Sequence, residues 1–286
     1  MKTKILITGS TGFIGKHLIE ELSKNKYDFI CLTRSPVNYQ HIIGSLEDKE
    51  LLNKITKDID VVIHLASVTK NQNKELNYKI NVEATKNLVE ACEKNKVKKI
   101  IYTGTINSTF KVRAHYGETK KLAQEIITNS NLNHIILRLN MVYGPGDNNL
   151  SKTIKLIKKL PITPIIGSGK SLMQPVYVKD VVNAMIEAIK TKEKRKTYNI
   201  GGPESFTFNE YINTIKKELN IKKLNIHIPI YILKPIISIL EKFISIPINK
   251  KILYSIIQDK NTDISLSEKE LNFKPKSFKE IISSLY

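Results

Sequence analysis

Cysteine is scarce in this chain of 286 residues: only Cys31 and Cys92 occur, far apart and each within an apolar stretch. Two such residues cannot build the disulfide framework of a small secreted protein or the clustered ligands of a structural zinc site. We therefore predict free thiols, no bound metal and a reducing, cytoplasmic compartment. The first apolar run, Ile5–Ile7, lies so close to residue 1 that no secretory signal peptide is expected ahead of it.

Arginine is scarce as well. Four of the 46 basic residues are arginine and the rest are lysine, and with 27 acidic residues the formal net charge is +19. The lysines are spread over the whole chain and are not grouped with aromatic side chains, as they would be on a nucleic-acid-binding face. We therefore expect no nucleic-acid partner. The charge instead favours rapid encounter with anionic small molecules.

Uninterrupted apolar runs of membrane-spanning length are missing too. The strongest candidate, residues 225–257, is rich in isoleucine, but Lys234, Glu241 and Lys242 interrupt it and three prolines divide it. A membrane-spanning helix needs about 20 apolar residues in succession. We predict that this segment is a helical cap over a substrate cleft. A peripheral contact with a membrane surface, through the flanking lysines, is left open.

What the chain does contain, near its start, is the pattern of a strand, a glycine turn and a helix. Ile5–Ile7 are consecutive apolar residues, as in a strand buried on both faces, and helical periodicity begins at His17. Gly9, Gly12 and Gly15 lie between them at equal spacing. In a dinucleotide-binding turn such glycines permit the tight turn, the approach of a pyrophosphate and close packing of helix on strand. The helix N-terminus offers free N–H groups to the phosphates.

This stretch resembles the extended branch of the short-chain dehydrogenase/reductase superfamily, the NAD-dependent epimerase/dehydratase family. The resemblance implies a doubly wound, parallel α/β sheet (Rossmann-like) with a small, mainly helical C-terminal substrate lobe. Residues 1–165 would form the NAD(P)-binding domain, completed by parts of 175–202, and residues 166–286 the smaller substrate region. The resemblance places the dinucleotide against these side chains: Gly9, Thr11, Gly12, Phe13, Ile14, Gly15, Arg34, Ser45, Leu46, Leu65, Ala66, Tyr116 and Lys120.

The end of the second predicted strand bears on the choice of dinucleotide. An acidic residue there would bind the ribose 2′-hydroxyl of NAD, but Thr33 occupies that position and Arg34 follows it. A guanidinium can bind a 2′-phosphate through two hydrogen bonds. NADP(H) is therefore favoured over NAD(H), and a solvated surface arginine is the alternative. Ser45 likewise replaces the acid that contacts adenine in the family.

Tyr116 and Lys120 form a Y-x-x-x-K pair, and a helix would bring the two side chains to one face. A neighbouring ammonium lowers the pKa of a phenol by favouring phenolate, so the tyrosine could give or take a proton. By resemblance, the strand predicted over residues 97–105 ends in the hydroxyl that binds the substrate oxygen. That residue is Thr105, with Thr103 as its nearest rival. The step from Thr105 to Tyr116 is shorter than is usual in the family, which predicts a different substrate pocket.

The substrate side departs from the family pattern at two places. Asn140 and Met141 stand around the family's asparagine position, and Met173 and Gln174 replace an arginine that clamps the substrate diphosphate. Asn140, Met141 and Gln174, together with Ser67, are the predicted substrate contacts. The departures resemble an atypical branch that includes an NADPH-binding accessory subunit of respiratory complex I.

Our first hypothesis is an NAD(P)-dependent epimerase, dehydratase or oxidoreductase that acts on a sugar-derived small molecule, with a nucleotide sugar as first choice. Its catalytic set would be Thr105, Tyr116 and Lys120. In the family an asparagine matching Asn81 has a structural and proton-relay role; a helix asparagine held by backbone groups is the alternative. The second hypothesis is an atypical NADPH-binding accessory or regulatory protein without turnover. A homodimer is left open.

Overall fold

The computed structural model describes residues 2–69, 73–235 and 250–285. Its central sheet has seven strands, which from one edge to the other are β11 (Lys196–Ile200), β6 (His134–Leu139), β5 (Lys99–Thr105), β4 (Val61–His64), β1 (Lys4–Thr8), β2 (Asp28–Thr33) and β3 (His41–Ile43). Every neighbouring pair is parallel. This is the doubly wound sheet predicted from the sequence. The strand order reverses between β1 and β4, which opens a crevice at their carboxyl ends.

Helices cover both faces of this sheet. In the part of the chain that the structure describes, the α-helices include α1 (Phe13–Lys24), α2 (Lys49–Ile55), α3 (Lys74–Tyr78), α4 (Ala84–Lys94), α5 (His115–Asn129), α6 (Leu150–Lys159), α7 (Val178–Lys190), α8 (Phe208–Glu218), α9 (Lys250–Ile256), α10 (Ser265–Glu270) and α11 (Phe278–Leu285). Residues 230–235 are helical as well. The apolar faces of α1 and α7 form one core with the sheet, and those of α2, α4 and α5 form another. Central strands are apolar throughout because both of their faces are buried. Cys31 and Cys92 are buried in opposite cores as free thiols, as predicted.

The edge strand β11 joins the sheet from late in the chain. It lies within residues 175–202, which were predicted to complete the dinucleotide-binding domain, and it pairs with β6 along its whole length. The sheet therefore draws on residues from both predicted domains. The boundary at residue 165 stays a prediction.

The helical segment that contains Asn81 includes a change of helix type. α3 continues into a π-helical turn, Lys79–Glu83, and α4 follows directly. Asn81 lies in this turn, and its amide accepts from the Val68 N–H (2.7 Å) and donates to the Val68 carbonyl (3.1 Å). It also donates to Thr119 Oγ1 at 3.0 Å. Such widened turns often occur at functional sites, and here the turn lets Asn81 join the loop after β4 to α5.

A third apolar core lies beside the central sheet. Its aromatic centre is Phe278, whose ring lies 5.0 Å from those of Tyr143 and Tyr211. Paired short strands surround it: β7 (Val142–Tyr143) with β10 (Val176–Tyr177), β9 (Leu172–Met173) with β12 (Phe206–Thr207), and β8 (Thr163–Ile166) with β13 (Asn225–Ile228). This smaller core holds α6, α8 and α11 together beside the sheet.

The prediction of a helical cap over residues 225–257 is wrong at the start of that segment. Residues 225–228 form β13, which pairs in parallel with β8. The alternation of polar and apolar residues in Asn-Ile-His-Ile is the period of a strand. Residues 236–249, which include Glu241 and Lys242, lie outside the described residues, so the cap over the cleft stays a prediction. None of the described helices is long and apolar enough to cross a bilayer.

Candidate active site

The glycine turn connects β1 to α1, and its three glycines serve different purposes. Gly9 has a φ of +77°, and a Cβ there would lie 2.5 Å from the backbone nitrogen of Ala66. A Cβ on Gly15 would collide with the backbone of Gly9 and Ser10, so this glycine lets α1 pack on the turn. A Cβ on Gly12 would meet only the Gly9 carbonyl oxygen, at 3.2 Å. Gly9 and Gly15 are thus needed by the fold, whereas a side chain at Gly12, which is exposed, would have only this one close contact.

The start of α1 has the donors and the room that a dinucleotide pyrophosphate needs. No side chain of the described residues caps this helix, and the first N–H groups of a helix have no partner within it. Gly12 and Thr11 are exposed at the turn, and Phe13 and Ile14 are half-buried in the first helical turn. These residues fit the phosphates of a dinucleotide, which helix N-termini bind through N–H groups and the helix dipole.

The other predicted dinucleotide contacts follow neighbouring strands of the sheet. Leu65 and Ala66 come directly after β4 and are half-buried against the glycine turn. Arg34 is exposed after β2 and forms no salt bridge with a described residue. The hydroxyl of Ser45 accepts a hydrogen bond from a backbone N–H two residues further on, at 3.2 Å, and Leu46 is buried. Their contacts with a dinucleotide stay predictions.

Thr105, Tyr116 and Lys120 lie together. Thr105 is the last residue of β5, and Tyr116 and Lys120 are one turn apart on α5. The side chains of Tyr116 and Thr105 are hydrogen-bonded to each other. Thr105 and Lys120 are buried, and Tyr116 is half-buried. The rival residue Thr103 instead donates to the carbonyl of His64 at 3.3 Å, so its hydroxyl is used within the sheet.

A short 3-10 helix, Ile106–Thr109, makes the close connection between Thr105 and α5. The Thr105 hydroxyl accepts from the Asn107 N–H at 3.3 Å, which caps this helix. A Cβ on Gly117 would lie 2.7 Å from the Asn107 carbonyl oxygen. Glycine beside Tyr116 therefore allows α5 to pack directly on the 3-10 helix, and the short connection still brings the two hydroxyls together.

The pKa values of Tyr116 and Lys120 differ from the prediction made from the sequence. Burial raises the pKa of Tyr116 to about 12, and the hydrogen bond with Thr105 opposes this only in part. Burial also lowers the pKa of Lys120 to about 7. The expectation that Lys120 would lower the pKa of Tyr116 is therefore wrong for this structure, because loss of water disfavours the charged form of each group. Near neutral pH, Tyr116 is a neutral phenol and Lys120 is divided between ammonium and amine.

Two buried side chains of this site were not predicted from the sequence. The ring centroid of Tyr102, in β5, lies 4.1 Å from Lys120 Nζ. The ring of His64, at the end of β4, is stacked with that of Tyr102 at a centroid distance of 5.6 Å. The two nitrogens of His64 are hydrogen-bonded to Thr8 Oγ1 (2.7 Å) and Thr85 Oγ1 (2.9 Å). Burial, and then Lys120, lower the pKa of His64 to about 3. The only signal in the sequence was a polar ring in each of two apolar strands.

The predicted substrate contacts have different surroundings. The Asn140 amide donates to Gln174 Oε1 at 3.2 Å, and both residues are buried. Gln174 also accepts from the Thr262 N–H (2.7 Å) and donates to a backbone carbonyl after β11 (2.8 Å). Its polar atoms thus join the sheet to the C-terminal region. The other two predicted contacts, Ser67 and Met141, are half-buried.

Comparison with known proteins extends this picture. The family model described as "NAD dependent epimerase/dehydratase family" matches residues 5–201, which include the glycine turn and the helix that carries Tyr116 and Lys120. The chain belongs to this family. The resemblance inferred from the sequence is therefore confirmed.

Curated relatives of this epimerase/dehydratase-family member have several names. A "3beta-hydroxysteroid-dehydrogenase/decarboxylase isoform 2" of Arabidopsis thaliana is 26% identical over 290 residues, 82% of this chain and 51% of the plant protein. The chain thus spans about half the length of that relative. A "Sterol-4-alpha-carboxylate 3-dehydrogenase, decarboxylating" of Bos taurus is 28% identical, covering 79% of this chain and 72% of the bovine protein. A "Putative UDP-glucose 4-epimerase" of Methanocaldococcus jannaschii is 29% identical, covering 76% and 83%.

Solved structures share the whole fold of this family member. UDP-glucose 4-epimerase from Thermotoga maritima, solved with UDP-glucose, has a TM-score of 0.78 and 22% identity, covering 99% of this chain and 97% of the other. UDP-glucuronic acid 4-epimerase from Bacillus cereus, in complex with UDP-glucuronic acid and NAD, has a TM-score of 0.78 and 24% identity, covering 99% and 98%. At these identities the likeness shows the fold.

Proposed function

We propose that this member of the epimerase/dehydratase family is an NAD(P)-dependent enzyme acting on a sugar-derived small molecule, with a nucleotide sugar as first candidate. One observation carries the proposal: Tyr116 is hydrogen-bonded to Thr105, and Lys120 lies one turn further along α5. The group sits at the carboxyl end of β5, where doubly wound sheets bind their ligands. The similar structures were solved with UDP-glucose, or with UDP-glucuronic acid and NAD, which supports the same ligand classes for this chain.

The chemistry follows from what each side chain can do. A bound nicotinamide would accept or return a hydride at its C4 carbon. Thr105 would hold the reacting oxygen of the substrate by a hydrogen bond, and Tyr116 would move the proton between its own oxygen and that one. Lys120 in its ammonium form would stabilise negative charge on the tyrosine oxygen and bind the nicotinamide ribose. Gly12 and the start of α1 would bind the pyrophosphate.

The first test is turnover of defined substrates by the purified full-length chain. UDP-glucose, UDP-glucuronic acid and dTDP-glucose are incubated with NAD⁺ or NADP⁺, and products are followed by NMR of the sugar ring and by absorbance of the reduced nicotinamide. We expect conversion of at least one sugar, and its loss in a Tyr116→Phe variant. Mass spectrometry of the purified protein should detect the dinucleotide that copurifies. If a dinucleotide is bound and no substrate is converted, the enzymatic proposal fails.

A sterol 4-carboxylate is a second candidate substrate, because the predicted substrate site differs from the family pattern at Met173 and Gln174. Met173 and Gln174 occupy the position of the arginine that binds the substrate diphosphate in the family. Met173 is buried, and Gln174 is hydrogen-bonded to Asn140 and to the Thr262 N–H, so neither side chain offers a positive charge to a diphosphate. Several relatives are named as decarboxylating dehydrogenases of sterol 4-alpha-carboxylates. Oxidation of a ring hydroxyl next to a carboxylate would use the same Tyr116 proton transfer. A sterol 4-carboxylate belongs in the assay, with release of carbon dioxide as its readout.

The hypothesis of an accessory protein without turnover is not favoured. The relatives reported above carry the names of enzymes, and the tyrosine and lysine of the proposed catalytic set are present in the helix that follows β5. The accessory-protein hypothesis would be favoured again if NADPH copurified with the chain and neither the nucleotide sugars nor the sterol 4-carboxylate were converted.

We further propose a preference for NADP(H) over NAD(H). Arg34 is exposed and unpaired among the described residues, so its guanidinium is free to bind a 2′-phosphate. Thr33 donates its hydroxyl to the carbonyl of Ser35 at 2.9 Å and offers no carboxylate to a ribose 2′-hydroxyl. Arg34→Ala should weaken NADP(H) binding by about 10- to 100-fold and NAD(H) binding by less than about 3-fold. Calorimetric titration of both dinucleotides checks this.

The control for this variant is Lys24→Ala, which removes one exposed positive charge at the far end of α1. It should leave the preference between the two dinucleotides unchanged. Equal affinity of the wild type for both dinucleotides would contradict the proposal, as would parallel losses in Arg34→Ala.

A further inference from the structure

Tyr102 is a tyrosine in a place where only its ring is used. It lies inside β5 and is 1% exposed. Its hydroxyl oxygen is buried and has no hydrogen-bond partner among the described residues. A buried hydroxyl without a partner is unfavourable, since it gives up its hydrogen bonds to water. The hydroxyl thus makes no hydrogen bond to a described residue, and what Tyr102 offers its neighbours is the face of its ring.

The ring lies against the one lysine of the proposed catalytic set. Lys120 Nζ is 4.1 Å from the ring centroid, within the range of a cation–π contact. Lys120 is 2% exposed, and its pKa is lowered by burial; no carboxylate among the described residues compensates its charge. The negative face of an aromatic ring favours an ammonium over an amine, and the more so where water is excluded.

Three titratable groups of the described residues face Lys120. They are Tyr102 from β5, His64 from β4 and Tyr116 from the same helix. The pKa of His64 is lowered to about 3 and the tyrosines have raised values, so all three are neutral near pH 7. His64 stacks with Tyr102 and is held at both ring nitrogens, which restricts movement of the tyrosine ring.

We propose that Tyr102 is a positioning residue whose ring face holds the Lys120 ammonium one helical turn from Tyr116. In this arrangement β5 contributes both Thr105 and the surface on which Lys120 rests, and His64 supports that surface. The expected effect of Tyr102 on catalysis rests on the proposed function. The contact between ring and ammonium can be tested without turnover.

The experiment replaces Tyr102 by phenylalanine and then by phenylalanines carrying one, two and three ring fluorines. Fluorine withdraws charge from the ring face and changes its shape little, so the core should stay packed. Lysine labelled with ¹³C at Cε is followed by NMR during a pH titration of the purified full-length chain. The Lys120 signal is identified by its absence in Lys120→Met. It should titrate near pH 7, apart from exposed lysines near about 10.4 and from Lys260, whose pKa burial lowers to about 8.

We expect the Lys120 midpoint to fall stepwise with each fluorine, by about 0.5–1.5 pH units over the series. The matched control is the same fluorination of Phe278, a buried ring of the third core, which should leave the Lys120 midpoint unchanged. A Lys120 midpoint that is the same throughout the Tyr102 series would overturn the proposal. Where turnover has been found, kcat should fall in the same order, and a kcat independent of fluorination would overturn the catalytic consequence.

These readouts separate the two proposals. If Tyr116→Phe retains activity while the Lys120 midpoint follows ring fluorination, the proposed function fails and the contact with Tyr102 stands. If Tyr116→Phe is inactive and the midpoint ignores fluorination, the proposed function stands and this inference fails.

Discussion

Replacement of Tyr116 by phenylalanine is expected to lower kcat by about 10²–10⁴-fold, the usual contribution of a general acid or base. The substitution removes one oxygen atom, which is hydrogen-bonded to the side chain of Thr105. That oxygen is the one that would exchange a proton with the substrate as the hydride moves. The ring itself stays in place, so the fold and the affinity for the dinucleotide should change little.

The measurement compares kcat, KM and dinucleotide affinity of the variant with those of the wild type. Tyr27→Phe is a suitable control, because Tyr27 directly precedes β2, at the edge of the sheet opposite the site, and loses the same atom there. It should retain full activity. A Tyr116→Phe variant with most of the wild-type kcat would show that the tyrosine is structural and that another group moves the proton.

Replacement of Lys120 by methionine is expected to stabilise the folded protein while abolishing turnover. A buried ammonium without a carboxylate destabilises the native state, and a pKa lowered from 10.5 to about 7 expresses this cost. Methionine has a similar length, and its sulfur packs well against an aromatic ring such as Tyr102. We expect the free energy of unfolding to rise by about 2–4 kcal/mol at neutral pH. Such an exchange of stability for function is common at active sites.

The stability gained in Lys120→Met should depend on pH, because the cost of burying the Lys120 ammonium does. Between about pH 7 and 10.5 the unfolded chain binds a proton at Lys120 that the folded chain lacks, so the stability of the wild type rises with pH there. Below about pH 7 the cost is fully present, and above 10.5 it disappears. The gain from Lys120→Met should therefore be largest at or below pH 7 and should shrink towards pH 10.5.

Urea unfolding at both ends of this pH range measures the effect. Lys121→Met is the matched control. The Lys121 side chain is 42% exposed and forms a salt bridge with Glu125, so loss of its ammonium group should change the free energy of unfolding by less than about 0.5 kcal/mol. A Lys120→Met variant that is less stable than the wild type at neutral pH would mean that Lys120 makes net stabilising contacts in the folded chain.

Local features of the sequence determined the frame of the protein. The apolar run Ile5–Ile7, the glycine spacing and the helical periodicity after it predicted β1, the turn and α1, because each depends on residues close in the chain. The strand predicted over residues 97–105 is β5 in the structure, Lys99–Thr105, and it ends at the predicted residue. The proximity of Tyr116 and Lys120 follows from the geometry of one helix turn. The family followed from the same stretches, since these motifs are short and contiguous.

Only the tertiary structure decided the state of the groups in the site. The direction of the Tyr116 pKa depends on how much water all surrounding elements exclude, and no spacing in the sequence contains that quantity. The contact of Lys120 with Tyr102 joins α5 to the sheet, and that of Tyr102 with His64 joins two strands. The pairing of β13 with β8 likewise brings together segments about 60 residues apart. These contacts form only when distant segments fold together, because burial and side-chain contact are properties of the packed chain and not of its order.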